Sequence, residues 1–286
     1  MKILLAGSTG YLGTYILKEF QNRKFDFKAI ARNSQKLLDL GLTENQIIEA
    51  EVTLPETLEQ CCQDIDVVIS TIGITRQKDG LTYMDVDYQA NKNLLKEAVK
   101  SCVKKFIYIS AINGDKFRFL KIFEAKAKFV DELKNSGLNY TIMHPNGFFS
   151  DMQDFLDMAK GGRVYLFGNG KLKLNPIHGA DLAKVCVDAF DTSDKEIVVR
   201  GPDMLTQNDI AEMALQAWNK PIKIMHLPDW THKLTISLIR TFTSSKTYGP
   251  IEFFMIAMAI DNIAPCFGSR QLKYFFNKEV EHIHED

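Results

Sequence analysis

The sequence predicts an α/β fold: a doubly wound parallel sheet of the Rossmann type, followed by a smaller, mainly helical C-terminal lobe. Two observations carry this. Apolar strand segments alternate with helical stretches six times between residues 2 and 145. Those strands are continuous apolar runs, as expected of parallel strands buried on both faces, and right-handed crossovers between them wind the sheet in both directions. Beyond Pro145 the alternation loosens and helical spacing dominates.

The elements follow in order. "KILLAG" (2–7) is a buried strand and "YLGTYILKEFQ" (11–21) has helical spacing. "DFKAIAR" (26–32) is the second strand. "NSQKLLDLG" (33–41) is a short helix with Ser34 as its cap and Gly41 as its stop. "QIIEAEV" (46–52) reads as strand, and "LPETLEQCCQ" (54–63) as helix with Pro55 in its first turn. "DVVIST" (66–71) is a strand, residues 84–102 a long helix, "KFIYISA" (105–111) a strand, 120–137 a helix ended by Gly137, and "NYTIMHP" (139–145) a strand. A helix over 175–190 and a strand over 196–202 return to the sheet. A helical region starts at 205 and is broken by Pro221, Pro228, Pro250 and Pro265. The acidic tail "NKEVEHIHED" (277–286) reads as disordered.

Composition narrows the function classes. The 286 residues are 45% hydrophobic and 25% charged, ordinary for a globular chain. A formal net charge of −1 offers no basic field for nucleic acid. Five scattered cysteines form no CxxC pair and point to a reducing cytoplasm. The apolar run "IEFFMIAMAI" (251–260) is far shorter than the ~20 residues a bilayer requires. His282 and His284 in the tail have no evident third ligand, so no metal site is expected.

"AGSTGYLG" places Gly7, Gly10 and Gly13 directly after the first strand and at the start of a helix. Such a turn brings backbone N–H groups and the positive end of the helix dipole to a pyrophosphate. Thr9, Tyr11 and Leu12 complete the loop. The alternative is a glycine-rich turn without a ligand. A nicotinamide adenine dinucleotide is the expected ligand. The second strand ends in Arg32 where a site for NAD would show a carboxylate, with Asn33 behind it. A guanidinium pairs with a 2′-phosphate, so NADP(H) is the expected form, a surface arginine being the alternative. Residues 1–200 are then the NAD(P)-binding domain, with 146–175 contributing to a substrate lobe, and 201–286 form the smaller lobe.

The glycine spacing is GxxGxxG. With "STIGITRQKDGLTYMDVDYQANKNLL", "VKKFIYISA", "SGLNYTIMHP", "NPIHGADLA" and "GPDMLTQNDIAEMA", the chain resembles the extended and atypical branches of the short-chain dehydrogenase/reductase superfamily. It is most similar to the NmrA-like group, which contains reductases, redox sensors and structural subunits. The resemblance covers about two hundred residues. It implies that Glu51 and Val52 flank the adenine and that Thr71, Ile72 and Gly73, with Ser70, lie along the cofactor.

In catalytic members a tyrosine and a lysine, Tyr-x-x-x-Lys, follow the fifth strand, with a Ser or Thr just after that strand. The resemblance puts the lysine on Lys126 and the tyrosine position on Ile122, which has no proton to donate. The serine position falls on Ser110 or on Ala111. Lys126 is expected at the nicotinamide ribose and is a candidate catalytic group; its bland alternative is a solvated helix face. His144, ending the sixth strand, is the other catalytic candidate, as a substrate contact or a plain strand-end residue. His178 reads as structural.

The leading reading is therefore an NADP(H)-binding atypical reductase without the tyrosine relay, acting on a small-molecule substrate that is large and apolar. The alternative is a non-enzymatic NADP(H)-binding sensor or assembly protein. Homo-oligomer formation stays open.

Overall fold

The computed structural model describes residues 1–75, 80–257 and 266–285. The chain divides into two compact units, residues 1–144 with 182–198 and residues 145–181 with 199–286. In the first unit, β1 (Lys2–Ala6), α1 (Tyr11–Arg23), β2 (Asp26–Ala31), α2 (Gln35–Asp39), β3 (Ile47–Glu49) and β4 (Val67–Ser70) form the first half. The second half has α3 (Asn91–Lys100), β5 (Lys105–Ile109), α4 (Lys121–Lys134) and β6 (Asn139–Pro145). Then come α5 (Gln153–Lys160), β7 (Val164–Phe167), β8 (Lys173–Leu174), α6 (Gly179–Asp188), β9 (Glu196–Val199), β10 (Leu205–Thr206), α7 (Gln207–Ala217), β11 (Ile224–Leu227), α8 (Asp229–Phe242), α9 (Ser245–Ala257) and α10 (Leu272–Glu285).

The seven-stranded sheet has the order β3-β2-β1-β4-β5-β6-β9, so the fold class read from the sequence holds. The chain adds strands outward from β1 to β3 and then returns to add β4 on the other side of β1, and this change in strand order leaves a crevice at the carboxyl ends of β1 and β4. β1 pairs in parallel with both β2 and β4, and its inner residues Ile3 to Ala6 are fully buried. On α4, Ile122, Phe129, Val130 and Leu133 are buried, and Phe129 lies edge-on to Tyr108 of β5 at 4.6 Å between ring centres.

Several elements depart from the sequence reading. Residues 84–102 are not one α-helix: Met84–Ala90 winds as a wider π-helix before α3 begins. The segment read as a helix over 54–63 holds only a 3-10 turn, Pro55–Leu58, because Gln60 and Asp64 take left-handed backbone angles that no continuous helix allows. Ser34 makes no side-chain cap; the Asn33 carboxamide oxygen instead accepts from the Gln35 N–H at 2.9 Å. Pro250 does not break the helical region but sits within α9. Pro265 and residues 258–260 of the apolar run lie outside the described residues.

The second unit has its own core. Phe149, Phe155 and Leu156 pack with Ile210, Ala214 and Leu215 of α7 and with Leu272, Phe276 and Val280 of α10. The last three recur every fourth residue and so share one helix face. That buried stripe is why the acidic tail is helical rather than disordered. Among the described residues no helix is long and apolar enough to cross a membrane.

Candidate functional site

The glycine loop is held from three sides. Gly7 has φ +79°, and a Cβ there would fall 2.4 Å from Thr71 Oγ1, so only glycine fits. The Thr71 hydroxyl, at the end of β4, donates to the carbonyls of Ala6 (3.1 Å) and Gly7 (3.0 Å). The buried Ser8 hydroxyl donates to Ile30 O of β2 at 2.6 Å. A Cβ on Gly13 would stand 2.2 Å from Gly7 O, which fixes how closely α1 approaches the loop. α1 starts on Gly10 with no side chain capping its first N–H groups. A cradle kept free of side chains, at an uncapped helix N-terminus, fits a pyrophosphate. Thr9 and Gly10 are exposed, Tyr11 is half-buried and Leu12 is buried.

Arg32 follows β2, with an exposed side chain, and its Nε lies 3.7 Å from Glu51 Oε2. Spacing along the sequence hides this acid, because β3 is brought beside β2 only by the sheet. Asn33 is spent on capping α2. The main-chain oxygen of Val52 accepts from the Asn93 carboxamide at 3.2 Å. Ser70 hydrogen-bonds the fully buried Asn91 at 2.5 Å, and Asn91 donates back to Ile72 O at 3.2 Å. Asn91 thereby sets the backbone of 70–73.

Lys126 is not a solvated surface lysine. Its side chain is 12% exposed and its ammonium lies 2.8 Å from the carboxylate of Asp87, which is fully buried. Asp87 also accepts from the Ile74 N–H at 3.2 Å. A Cβ on Gly73 would lie within 3 Å of both charged groups, so glycine is what lets the chain pass over the pair. Burial alone would lower the Lys126 pKa, but the Asp87 carboxylate outweighs it and the ammonium is held above the ordinary lysine range. Burial pushes the Asp87 carboxyl up, and Lys126 limits the rise. Asp87 went unread in the sequence: in "MDVDYQ" it is one of two acids opening a helix, which ordinarily marks a favourable dipole position.

Ile122, at the tyrosine position, has no proton to donate. Ile122 is buried. Tyr108, from β5, brings its ring centre 5.7 Å from the Lys126 ammonium, but it is fully buried and burial pushes its pKa up to about 12. Ser110 is buried, and Ala111 offers its carbonyl to His144 Nδ1 at 3.3 Å. The other His144 ring nitrogen meets Glu196 at 3.1 Å, and Glu196 is also paired with Lys134 at 2.6 Å. Both ring nitrogens are thus engaged within the protein. His178 lies edge-on to Phe149 and Phe275, and burial pulls its pKa down to about 4, so it is a neutral packing residue at physiological pH.

Residues 7–193 match the model of a family described as NAD(P)H-binding. The chain belongs to that family. The match spans the glycine loop, Thr71, Lys126 and His144. Divinyl chlorophyllide a 8-vinyl-reductase of Cucumis sativus is 28% identical over 96% of this chain and 75% of its own length. Photosystem II assembly factor Ycf39 of Cyanidium caldarium is 31% identical over 53% of this chain and 48% of its own. A crystal structure of a nucleoside-diphosphate-sugar epimerase from Staphylococcus aureus superposes with a TM-score of 0.73 at 15% identity, covering 97% of this chain and 100% of that one. At such identity the last match speaks for the fold. Cofactor binding of the NAD(P)H type therefore follows from the family.

Proposed function

We propose that the protein is an NADPH-dependent reductase that saturates a carbon–carbon double bond on a large apolar substrate. The observation that carries it is the buried Lys126–Asp87 pair combined with Ile122. When bound, the cofactor supplies a hydride. The chain's residues supply the rest: the Gly7–Gly13 loop holds the pyrophosphate, Arg32 the 2′-phosphate, and Lys126 donates to the ribose hydroxyls. Val52, Thr71, Ile72, Gly73 and Ser110 line the dinucleotide. A reductase acting on a carbonyl needs an acid at the substrate oxygen, which an isoleucine cannot give. Reducing an alkene conjugated to a large π-system needs a proton at carbon, which water can deliver. The vinyl reductase relative, similar across nearly the whole chain, supports this reading.

The second reading is a cofactor-binding assembly protein. The engagement of both His144 nitrogens and the similarity to an assembly factor favour it. Incubation with NADPH deuterated at the nicotinamide C4 and divinyl chlorophyllide a separates the two. Deuterium in the ethyl group of the product supports the reductase. Tight NADPH binding with no deuterium transfer would leave the assembly reading standing.

NADPH should bind roughly 10- to 150-fold more tightly than NADH, the worth of charged hydrogen bonds to the 2′-phosphate. Arg32→Ala is expected to erase that preference and leave NADH affinity nearly unchanged. Glu51→Gln, which removes the competing carboxylate, should tighten NADPH binding. Equal affinities of the wild type for both cofactors, measured by calorimetry, would refute the assignment of Arg32.

A further inference from the structure

Five charged side chains are buried among the described residues: Asp87, Lys105, Asp181, Arg200 and Glu252. Four have partners. Asp87 meets Lys126, Asp181 meets Arg270, Glu252 meets Arg240, and Lys105 donates to the carbonyls of Ala189 (2.7 Å), Phe190 (3.3 Å) and Thr192 (2.6 Å). Arg200 is the exception. It is 5% exposed, and among the described residues neither its Nε nor its Nη1 has a hydrogen-bond partner. No carboxylate among the described residues lies within ion-pair distance of it.

The surroundings are polar but spent. Arg200 O accepts from the Phe267 N–H at 2.8 Å. The fully buried Asn175 accepts from the Gly201 N–H at 3.0 Å and turns its amide to Gly201 O (3.3 Å) and Cys266 Sγ (3.8 Å). These groups offer the guanidinium no negative charge. Burial presses the Arg200 pKa below the usual arginine value, yet arginine remains charged in proteins. A buried cation left unpaired is among the most costly arrangements a protein can hold. Arg200 directly follows β9 in the chain.

We propose that Arg200 is the anchor of an anion-binding site in the second unit, taking the oxyanion group of a ligand, a carboxylate or a phosphate. The donors of the guanidinium supply charge-assisted hydrogen bonds, and the oxyanion supplies the missing counter-charge. The site rests on the second unit alone and does not depend on hydride transfer.

Thermal unfolding of the full chain tests it, with inorganic phosphate in one series and hexanoate in the other, at ionic strength held constant with sodium chloride. The wild type should gain about 2–4 °C in Tm for each tenfold rise of the bound anion above its dissociation constant. Phosphate stabilises most proteins by exclusion from their surface, so the comparison is with Arg200→Met. That variant should lose the anion-specific gain, and in chloride alone its Tm should equal or exceed that of the wild type, because an apolar side chain of similar length replaces an unpaired charge. Arg200→Lys keeps the charge but not the fork of donors, and should retain a smaller gain; it carries the test if the methionine variant does not fold. The series giving the larger gain identifies the oxyanion as phosphate or carboxylate. A wild type that responds to neither anion, or a gain that Arg200→Met keeps in full, overturns the proposal.

Discussion

Asp87→Leu is expected to destabilise the protein by about 3–5 kcal/mol, the cost of leaving one partner of a buried ion pair uncompensated. The stranded group would be the Lys126 ammonium, only 12% exposed, whose nearest counter-charge is the lost carboxylate at 2.8 Å. The double variant Asp87→Leu, Lys126→Met should recover most of that loss, since two apolar side chains of similar size replace two buried charges at little net cost. Guanidinium denaturation of the two single variants and the double variant closes the cycle. The double variant separates stability from function: it should fold well yet bind NADPH roughly tenfold more weakly, for want of the ammonium's hydrogen bonds to the ribose. A single Asp87→Leu variant within 1 kcal/mol of wild type would show that the pair is not ionised.

What the sequence reveals and what it hides divide along physical lines. The glycine loop is legible because its geometry demands glycine: the positive φ of Gly7 and the close approach at Gly13 leave a mark that no other residue could make. The sheet is legible because strands buried on both faces must be continuously apolar. Contacts made by tertiary pairing leave no such mark. Glu51 comes beside Arg32 through the β2–β3 pairing, and Glu196 reaches His144 through β9. Asp87 reaches Lys126 from the opposite side of the fifth strand's sequence neighbourhood, and its local context is that of an ordinary helix start. Arg200, in "VVRGP", falls within the strand read over 196–202, and only its burial sets it apart.

The helical tail makes the same point from the other side. Its charged residues dominate the composition of 277–286, whereas the three residues that fold it, Leu272, Phe276 and Val280, straddle the start of that stretch. A stripe at fourfold spacing is visible only when the window begins five residues earlier. Short strands such as β7 and β11 are missed for a different reason: each is only four residues long, and a short apolar run cannot be told from other apolar segments by periodicity.

Two glycine substitutions should abolish cofactor binding by different routes, and the difference tests the loop's role. Gly10 has φ −80° and ψ 171°, angles open to any residue, and a Cβ there would meet only Gly7 O at 3.3 Å. Gly10→Val should therefore fold, at a cost of about 0.5–1 kcal/mol for a poorer helix N-cap. Its side chain would occupy the space that a pyrophosphate enters, and NADPH affinity should fall at least ~100-fold, about 2.7 kcal/mol. Gly13→Val differs because its Cβ would stand 2.2 Å from Gly7 O and 2.8 Å from Ser8 Cα, both backbone atoms that cannot rotate away. The loop and the start of α1 must separate, so this variant should lose 3 kcal/mol or more, about the upper range for overpacking a rigid site, as well as the cofactor. Denaturation curves and NADPH fluorescence titrations on the same samples resolve the two cases. Unchanged NADPH affinity in a folded Gly10→Val protein would mean that the pyrophosphate does not approach the N-terminus of α1.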